Sequence, residues 1–237
     1  MLFLLLYCAN VILMRKKTKI ALIGFGKMGQ EVDALCKDSK IFEVVSISYK
    51  NKTDSLDLKG IAKADLAIDF TSKDIVLKNI ITVAKLGKNI VVGTTGWYEN
   101  LYKVKKIVAK NKIGLIYGAN FSIGANIFLK MVEFSAKFFS KYPEYDVYGL
   151  EIHHKAKLDS PSGTALKIAS KVDGLEFTSI RSGRNPGFHE VVFDSSADSI
   201  NLSHQAHNRS GFAKGSLVAA EFIKNKKGVY SFEDLFK

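Results

Sequence analysis

The sequence is poor in the residues that mark several classes of protein. It has two cysteines, three prolines and one tryptophan among 237 residues. Cys8 and Cys36 cannot build a disulfide framework and lie in no CxxC pair, so a reducing compartment is favoured and a structural zinc site is disfavoured. With 47% hydrophobic and 24% charged residues, the composition excludes a disordered or collagenous chain. The length allows one large domain or two modest ones, at roughly 100–200 residues each.

An apolar run of membrane-spanning length is also missing at the N-terminus. Residues 1–14 read MLFLLLYCANVILM, which is shorter than the roughly 20 residues that a membrane helix needs. The positive charges of Arg15, Lys16 and Lys17 follow this stretch rather than precede it, and no A-x-A cleavage site is present, so it is not typical of a secretory signal. A thin, uncleaved anchor is one interpretation. We favour an apolar leader, residues 1–13, outside the fold of a cytoplasmic protein, with Met14 as the true start and no membrane partner.

Acidic residues are scarce relative to basic ones, at 23 against 35, which gives a formal net charge of +12. Such a charge is compatible with a nucleic-acid or membrane-surface binder. However, the lysines are scattered, no basic run exceeds Arg15–Lys17, and aromatic and basic residues do not alternate as they do in RNA-binding segments. We therefore predict a solvated, lysine-rich surface and no nucleic-acid partner. Its positive field would attract a small polyanionic substrate and a phosphate-bearing cofactor.

Short apolar runs alternate with helical patterns through the first half of the chain. The predicted strands are Lys19–Gly24, Phe42–Ser48, Asp65–Phe70, Asn89–Val92 and Gly114–Tyr117, and the predicted helices are 27–37, Asp74–Leu86 and Leu101–Asn111. Such alternation with short connections predicts an α/β domain, a Rossmann-type doubly wound parallel sheet with helices on both faces.

The rhythm changes after Ala125. Helices are predicted at Ile127–Phe139, Ser162–Val172 and Gly215–Lys224, and strands at Asp146–His153, Phe177–Arg181, His189–Asp194 and Ser199–His204. This pattern predicts an inserted α+β domain with a mixed sheet, after which the last helix returns to the first domain. The expected division is a dinucleotide-binding domain over residues 14–122, completed by residues 209–237, and a second domain over residues 123–208.

A glycine motif directly follows the first predicted strand and opens a helix. It consists of Gly24, Phe25, Gly26, Lys27, Met28 and Gly29, and it fits GxGxxG. In this context the first glycine permits a tight turn, the second lets a pyrophosphate approach the backbone, and the third allows close packing of helix on strand. The motif therefore predicts a dinucleotide site, although three glycines in an unrelated turn are the alternative.

Three further segments bear on this cofactor. No carboxylate lies about 20 residues on, where an acid would bind an adenosine ribose. Lys50 lies there instead, either as a partner for the 2′-phosphate of NADP or as an exposed loop lysine. Segments after the fourth and fifth strands add candidate contacts, because ligands bind at the carboxyl ends of such strands. These candidates are Gly93, Thr94, Thr95, Gly96, Ala119, Asn120, Phe121 and Ser122.

Residues 151–165, EIHHKAKLDSPSGTA, concentrate groups suited to chemistry. His153 could act as a general acid near neutral pH, and Lys157 brings a positive charge four residues later. Pro161 introduces a helix start whose small residues, Ser162, Gly163 and Thr164, could bind a carboxylate. Adjacent histidines also suggest a metal, but HHxxK offers no third ligand of the usual type, so we predict no metal site.

These motifs together resemble the dihydrodipicolinate reductase family of diaminopimelate and lysine biosynthesis. The resemblance extends from Lys19 nearly to the C-terminus. The segments that carry it are Gly24–Gly29, Asp69–Thr71, Gly93–Gly96, Ala119–Ser122, His153–Thr164, Arg209 and Phe212–Gly215.

The resemblance implies an oxidoreductase with a Rossmann domain for NADPH, NADH or both, and a substrate domain through which homotetramers assemble. The reaction is the reduction of 4-hydroxy-tetrahydrodipicolinate to tetrahydrodipicolinate with loss of water. His153 would be the proton donor and acceptor and Lys157 a second proton donor, while His154, Ser162, Gly163 and Thr164 would bind the dicarboxylate. The glycine motif, the Gly93–Thr95 and Ala119–Ser122 segments and Arg209 would bind the dinucleotide.

Two other interpretations remain open at this point. Another two-domain Rossmann dehydrogenase, acting on an amino or sugar acid, would share GxGxxG but would not need HHxxK followed by PSGT. A non-catalytic protein that senses a dinucleotide or binds nucleic acid is supported only by the net charge. It predicts no loss of activity when His153 or Lys157 is replaced.

Overall fold

The computed structural model describes residues 16–49 and 55–237. The predictions made for the leader at residues 1–13, for the start at Met14 and for Lys50 lie outside the described residues. Within them, the chain divides into two compact units. The first contains the described residues up to Phe121 together with Phe212–Leu235, and the second contains Ser122–Gly211 with the last two residues.

The first unit is built on a six-stranded sheet in the order β10-β5-β4-β3-β1-β2. All of its strand pairs are parallel. The strands are β1 Thr18–Ile23, β2 Phe42–Ser48, β3 Leu66–Asp69, β4 Asn89–Val92, β5 Gly114–Tyr117 and β10 Gly228–Ser231. The helices of this unit are α1 Lys27–Lys37, α2 Leu58–Lys63, α3 Lys73–Lys85, α4 Leu101–Asn111 and α7 Ser210–Ile223, which begins in the second unit.

Apolar strands and amphipathic helices form the core of this unit. The central strands β1, β3 and β4 are almost wholly buried, as expected of parallel strands that are covered on both faces. Val76, Ile80, Val83 and Ala84 place one face of α3 in the same core. The predicted Rossmann-type sheet is therefore confirmed.

The second unit contains a four-stranded sheet in the order β7-β6-β8-β9. Its strands are β6 Asp146–His153, β7 Glu176–Arg181, β8 Phe188–Asp194 and β9 Ser199–Gln205, and its helices are α5 Ile123–Phe139 and α6 Gly163–Ala169. Strands β6 and β7 are parallel, whereas β6 with β8 and β8 with β9 are antiparallel. The predicted mixed sheet is confirmed.

The structure corrects several boundaries. Helix α5 begins at Ile123 rather than Ile127, because the Ser122 hydroxyl accepts a hydrogen bond from the Ala125 N–H and caps the helix start. Helix α6 ends at Ala169 rather than Val172. Helix α2 and strand β10 were not predicted; both are short segments with few apolar residues. Two 3₁₀ turns lie at Tyr98–Asn100 and Phe232–Phe236.

Among the described residues, no helix combines the length and the apolar character needed to cross a membrane.

Candidate active site

Two glycines of the GxGxxG motif are required by the protein itself. Gly24 has a φ of +96°, and a Cβ there would clash with the backbone carbonyl of Phe70. A Cβ on Gly29 would clash with the carbonyl oxygen of Gly24. The turn between β1 and α1 is therefore as tight as the motif predicts.

The middle glycine differs, because the protein leaves space beside it. A Cβ on Gly26 would have no atom within 4 Å, and the φ of Gly26 is −73°, which any residue can adopt. Nothing in the described fold therefore requires glycine there, whereas a close-approaching ligand would require it.

A cleft of about 570 Å³ opens beside Gly26 at the carboxyl ends of β1, β3 and β4. This is the edge at which ligands bind in open α/β sheets. The cleft is lined by Gly26, Lys27, Met28, Phe70, Thr71, Ser72, Lys73, Gly93, Thr94, Thr95 and Gly96. Its size, its open glycine and the hydroxyl groups on its walls fit a dinucleotide.

A buried carboxylate fixes two of the cleft loops. Asp69, at the end of β3, is fully buried, and its Oδ1 accepts hydrogen bonds from the Thr71 hydroxyl and the Thr94 hydroxyl, both at 2.7 Å. Its Oδ2 accepts from the Asn79 side chain at 2.8 Å. Burial raises the pKa of Asp69, and these hydrogen bonds counteract the increase. The network joins the loops after β3 and β4, so their backbone groups at the cleft are held in place.

The predicted cofactor residues fall into three groups. Lys27, Met28, Gly93, Thr94 and Thr95 line the cleft with Gly26, whereas Gly24, Phe25 and Gly29 do not. In the segment after β5, Ala119 is exposed and Ser122 caps α5. Phe121 is 2% exposed and its ring lies 4.7 Å from that of Phe232. Arg209 is exposed just before α7. The roles of all these residues in cofactor binding stay predictions.

Sequence reasoning missed four residues that line the cleft, namely Phe70, Thr71, Ser72 and Lys73. A signal existed, because they directly follow the third predicted strand, as Gly93–Thr95 follow the fourth.

Alanine substitutions separate the two roles of the glycines. We expect Gly26→Ala to change the free energy of unfolding by less than about 1 kcal/mol but to weaken dinucleotide binding at least about 10-fold, because the new methyl group meets the ligand. We expect Gly29→Ala to destabilise the first unit by about 1–3 kcal/mol through overpacking. Trp97, the one tryptophan of the chain and 1% exposed in this unit, reports unfolding by fluorescence. If folded Gly26→Ala bound the dinucleotide with unchanged affinity, the assignment of the cofactor to this turn would be contradicted.

In the second unit, the strand register gathers polar side chains on one face of the sheet. Glu151 and His153 are two residues apart on β6, so they point to the same face. Glu151 pairs with Ser179 of β7 on one side and with His189 of β8 on the other, and His153 pairs with Arg181. These residues are distant in sequence, and the mixed sheet brings them together.

Glu151 is the centre of this cluster and is fully buried. Its Oε1 accepts hydrogen bonds from the Ser162 N–H at 2.9 Å, the Ser179 hydroxyl at 2.7 Å and Arg181 Nη2 at 2.6 Å. Burial alone would raise the pKa of Glu151, but these hydrogen bonds outweigh it and lower the pKa to about 2. Glu151 is therefore ionised at neutral pH and paired with a guanidinium.

Two imidazoles face the other carboxylate oxygen. His153 Nε2 lies 3.4 Å and His189 Nε2 lies 3.5 Å from Glu151 Oε2, and the two nitrogens are 3.4 Å apart. Burial lowers the pKa of both histidines, that of His189 to about 4, although Glu151 partly counteracts the decrease. Both imidazoles are therefore neutral near pH 7 in this arrangement. A neutral His153 is suited to accept a proton rather than to donate one from a charged ring.

The segment after β6 carries the more accessible groups. Lys157 Nζ lies 2.7 Å and 2.9 Å from the two carboxylate oxygens of Asp159. His154 is half-buried, and its N–H donates to the Asn185 carbonyl at 2.8 Å. The ammonium of Lys157 is thus held at the surface by one acidic partner that an anionic ligand could replace.

At the start of α6, where a carboxylate site is predicted, the polar groups of Ser162 already contact other residues of the protein. Ser162 is 1% exposed; its N–H bonds to Glu151, and its hydroxyl accepts from the Ala165 N–H and lies 3.1 Å from His189 Nε2. Ser162 therefore supports the buried cluster rather than facing solvent. Gly163 is exposed and Thr164 is half-buried, so these two remain available to a ligand.

Glu151, Arg181 and His189 were not among the predicted site residues. Glu151 could have been found, because its two-residue spacing from His153 on a predicted strand puts both on one face. Arg181 and His189 could not, because no sequence pattern reveals the strand order. The prediction of no metal considered HHxxK alone and stays a prediction; the structure places potential ligand atoms of Glu151, His153 and His189 within 4.8 Å of one another.

Comparisons with known proteins agree over both units. The family model "Dihydrodipicolinate reductase, N-terminus" matches residues 18–121, and "Dihydrodipicolinate reductase, C-terminus" matches residues 124–236. A 4-hydroxy-tetrahydrodipicolinate reductase of Christiangramia forsetii is 36% identical over 235 residues, which cover 91% of this chain and 96% of the relative. One of Methanosarcina acetivorans is 34% identical over 230 residues and covers 86% of each chain.

A solved structure shows the same fold. The dipicolinate-bound dihydrodipicolinate reductase of Paenisporosarcina sp. TG-14 superposes with a TM-score of 0.80 at 24% identity, over 93% of this chain and 100% of that one.

Proposed function

The chain belongs to the dihydrodipicolinate reductase family, and from that premise we propose that it reduces 4-hydroxy-tetrahydrodipicolinate to tetrahydrodipicolinate in diaminopimelate and lysine biosynthesis. The reaction consumes one reduced nicotinamide dinucleotide and one proton, and it releases one water. The observation that carries the proposal is the segment His153–Thr164. It presents Lys157, His154 and the exposed Gly163 beside a sheet face that carries His153.

The first unit holds the cofactor in this proposal. Gly26, Lys27 and Met28 would bind its pyrophosphate, and Thr94, Thr95 and Lys73 lie along the same cleft. When bound, the reduced nicotinamide supplies the hydride. The Asp69 network keeps the threonine loops in place, so little ordering accompanies binding.

The second unit binds the dicarboxylate. Lys157 and His154 attract its carboxylates, and Lys157 donates a proton once its Asp159 partner is displaced. His153, neutral near pH 7, accepts or returns a proton at Nε2, which faces Glu151 and His189. Positive charge from Lys157 stabilises the carboxylates of the ring as it reacts.

Three finer points extend the proposal. The enzyme assembles as a homotetramer through its second unit, as the resemblance implies. It acts in the cytoplasm, which the scarcity of cysteine supports. Lys50 favours NADPH at least as much as NADH, because no acid occupies the position that would bind a free ribose hydroxyl.

The cofactor point predicts a kinetic result. We expect the KM for NADPH to be equal to or below that for NADH, and Lys50→Ala to raise the KM for NADPH by about 3–10-fold while leaving that for NADH unchanged, since one phosphate contact is lost. Lys52→Ala, two residues further along the sequence, serves as the matched control. A wild-type KM for NADH far below that for NADPH would contradict the assignment.

The function itself is tested by a coupled assay. The purified chain is mixed with NADPH or NADH and with substrate formed in situ by its synthase, and loss of nicotinamide absorbance is followed. We expect oxidation that requires both the synthase and this chain. No oxidation above the rate without the chain, with either cofactor and a folded protein, would contradict the proposal.

A further inference from the structure

The second unit contains three donor atoms that converge on one point. They are His153 Nε2, His189 Nε2 and Glu151 Oε2, and their separations are 3.4, 3.4 and 3.5 Å. In a tetrahedral zinc site with bonds of about 2.0–2.1 Å, neighbouring ligand atoms are about 3.3–3.4 Å apart. The three donor atoms therefore already have about the spacing of ligands in a tetrahedral zinc site.

The carboxylate oxygen at this point lacks a hydrogen bond. Glu151 Oε2 is buried without a hydrogen-bond partner in the described structure, whereas Oε1 receives three hydrogen bonds. A buried, ionised oxygen left in this way is costly unless a proton or a cation meets it. The two imidazole nitrogens beside it lie 3.4 and 3.5 Å away.

The donor set indicates which cation fits. Two imidazoles and one carboxylate form a ligand set that zinc takes, with a fourth position left open. Ser162 Oγ lies 3.1 Å from His189 Nε2, one of the three donor atoms.

We propose that Glu151, His153 and His189 form a binding site for a zinc-type divalent cation, in the sheet of the second unit. Because the Arg181 guanidinium already shares the charge of Glu151, we expect an affinity of about 1–100 µM, weaker than that of structural zinc sites. The ion occupies the His153 nitrogen that the proposed reaction uses, so zinc inhibits turnover. Only this last consequence rests on the proposed function.

Binding is tested without substrate or cofactor. Zinc is titrated into the full chain against a chromogenic chelator, and Co²⁺ is added separately to record the visible absorption of a tetrahedral ion. We expect one zinc per chain and a tetrahedral cobalt spectrum. We expect His189→Ala to weaken zinc binding by at least about 100-fold, beyond the 10–100-fold loss typical of residues that only orient a ligand.

Controls separate this site from other ligands. His207→Ala, an exposed histidine of the same unit, keeps the wild-type affinity, and a Cys8→Ser background removes the cysteine outside the described residues. His189→Gln, checked by circular dichroism, provides a second folded variant if the alanine variant unfolds. Wild-type zinc affinity in either folded His189 variant would overturn the site. No binding by the wild type at 100 µM zinc, a concentration that corresponds to a binding free energy of about 5.5 kcal/mol, would also overturn it. Because no turnover is measured, neither result bears on the reductase activity.

Discussion

Replacing Lys157 with alanine is expected to lower kcat/KM for the ring dicarboxylate by about 10²–10⁴-fold, the range for loss of a positioned proton donor. We expect Lys157 to be the more sensitive of the two proposed proton carriers. Lowered pKa leaves His153 neutral near pH 7, whereas Lys157 presents its ammonium at the surface. The loss is measured by steady-state kinetics with substrate formed in situ.

A matched control lies two residues away. Lys155 is exposed on the same turn, and Lys155→Ala removes the same formal charge. If Lys157 acted only through the overall positive electrostatic potential of the surface, both variants would lose activity equally. We expect Lys155→Ala to remain within about 3-fold of the wild type, since an exposed charge is screened by salt. Equal losses of activity in the two variants would contradict a specific role for Lys157.

Arg181→Ala is expected to destabilise the second unit by about 3 kcal/mol. Arg181 Nη2 donates at 2.6 Å to Glu151 Oε1, and the two side chains are 16% and 0% exposed. Removing one partner of a buried pair leaves the other charge uncompensated, which costs about 3–5 kcal/mol. The remaining hydrogen bonds from Ser162 and Ser179 place the expected value at the lower end.

The probe for this loss must lie in the second unit. Trp97 lies in the first unit, so its fluorescence reports unfolding of that unit and not of the second. Hydrogen exchange of the β6 and β8 amides reports the local free energy of opening instead. Arg184→Ala, at an exposed position of the following turn, is expected to change it by less than about 0.5 kcal/mol. Protection of these amides in Arg181→Ala equal to that of the wild type would show that the ion pair does not stabilise the sheet.

Most of the fold was predictable because its elements carry local signals. The strands Phe42–Ser48, Asn89–Val92, Gly114–Tyr117 and Asp146–His153 lie where the apolar runs predict them. Apolar periodicity encodes which face is buried, and this information is local. Strand β10 lacks it, because its four residues are only half-buried at the edge of the sheet, and its pairing with β5 comes from a distant part of the chain.

The candidate site was predictable in part, for the same reason. The glycine turn and the Thr94 loop directly follow strands, so their place at the carboxyl edge follows from topology alone. Ser162 shows the limit of this reasoning. Its position at a helix start predicts an anion site. However, its backbone N–H already donates a hydrogen bond to Glu151 of the sheet. Contacts made across a mixed sheet depend on strand order and register, which one sequence does not display.

The proposed reaction of this chain is the reduction of a hydroxylated ring dicarboxylate with hydride from a nicotinamide. The most direct measurement uses reduced cofactor that carries deuterium at the transferred position, with substrate formed in situ, and weighs the product by mass spectrometry. We predict one deuterium in each molecule of tetrahydrodipicolinate formed by the wild type. Product without deuterium, or oxidised cofactor without any reduced ring product, would contradict the account.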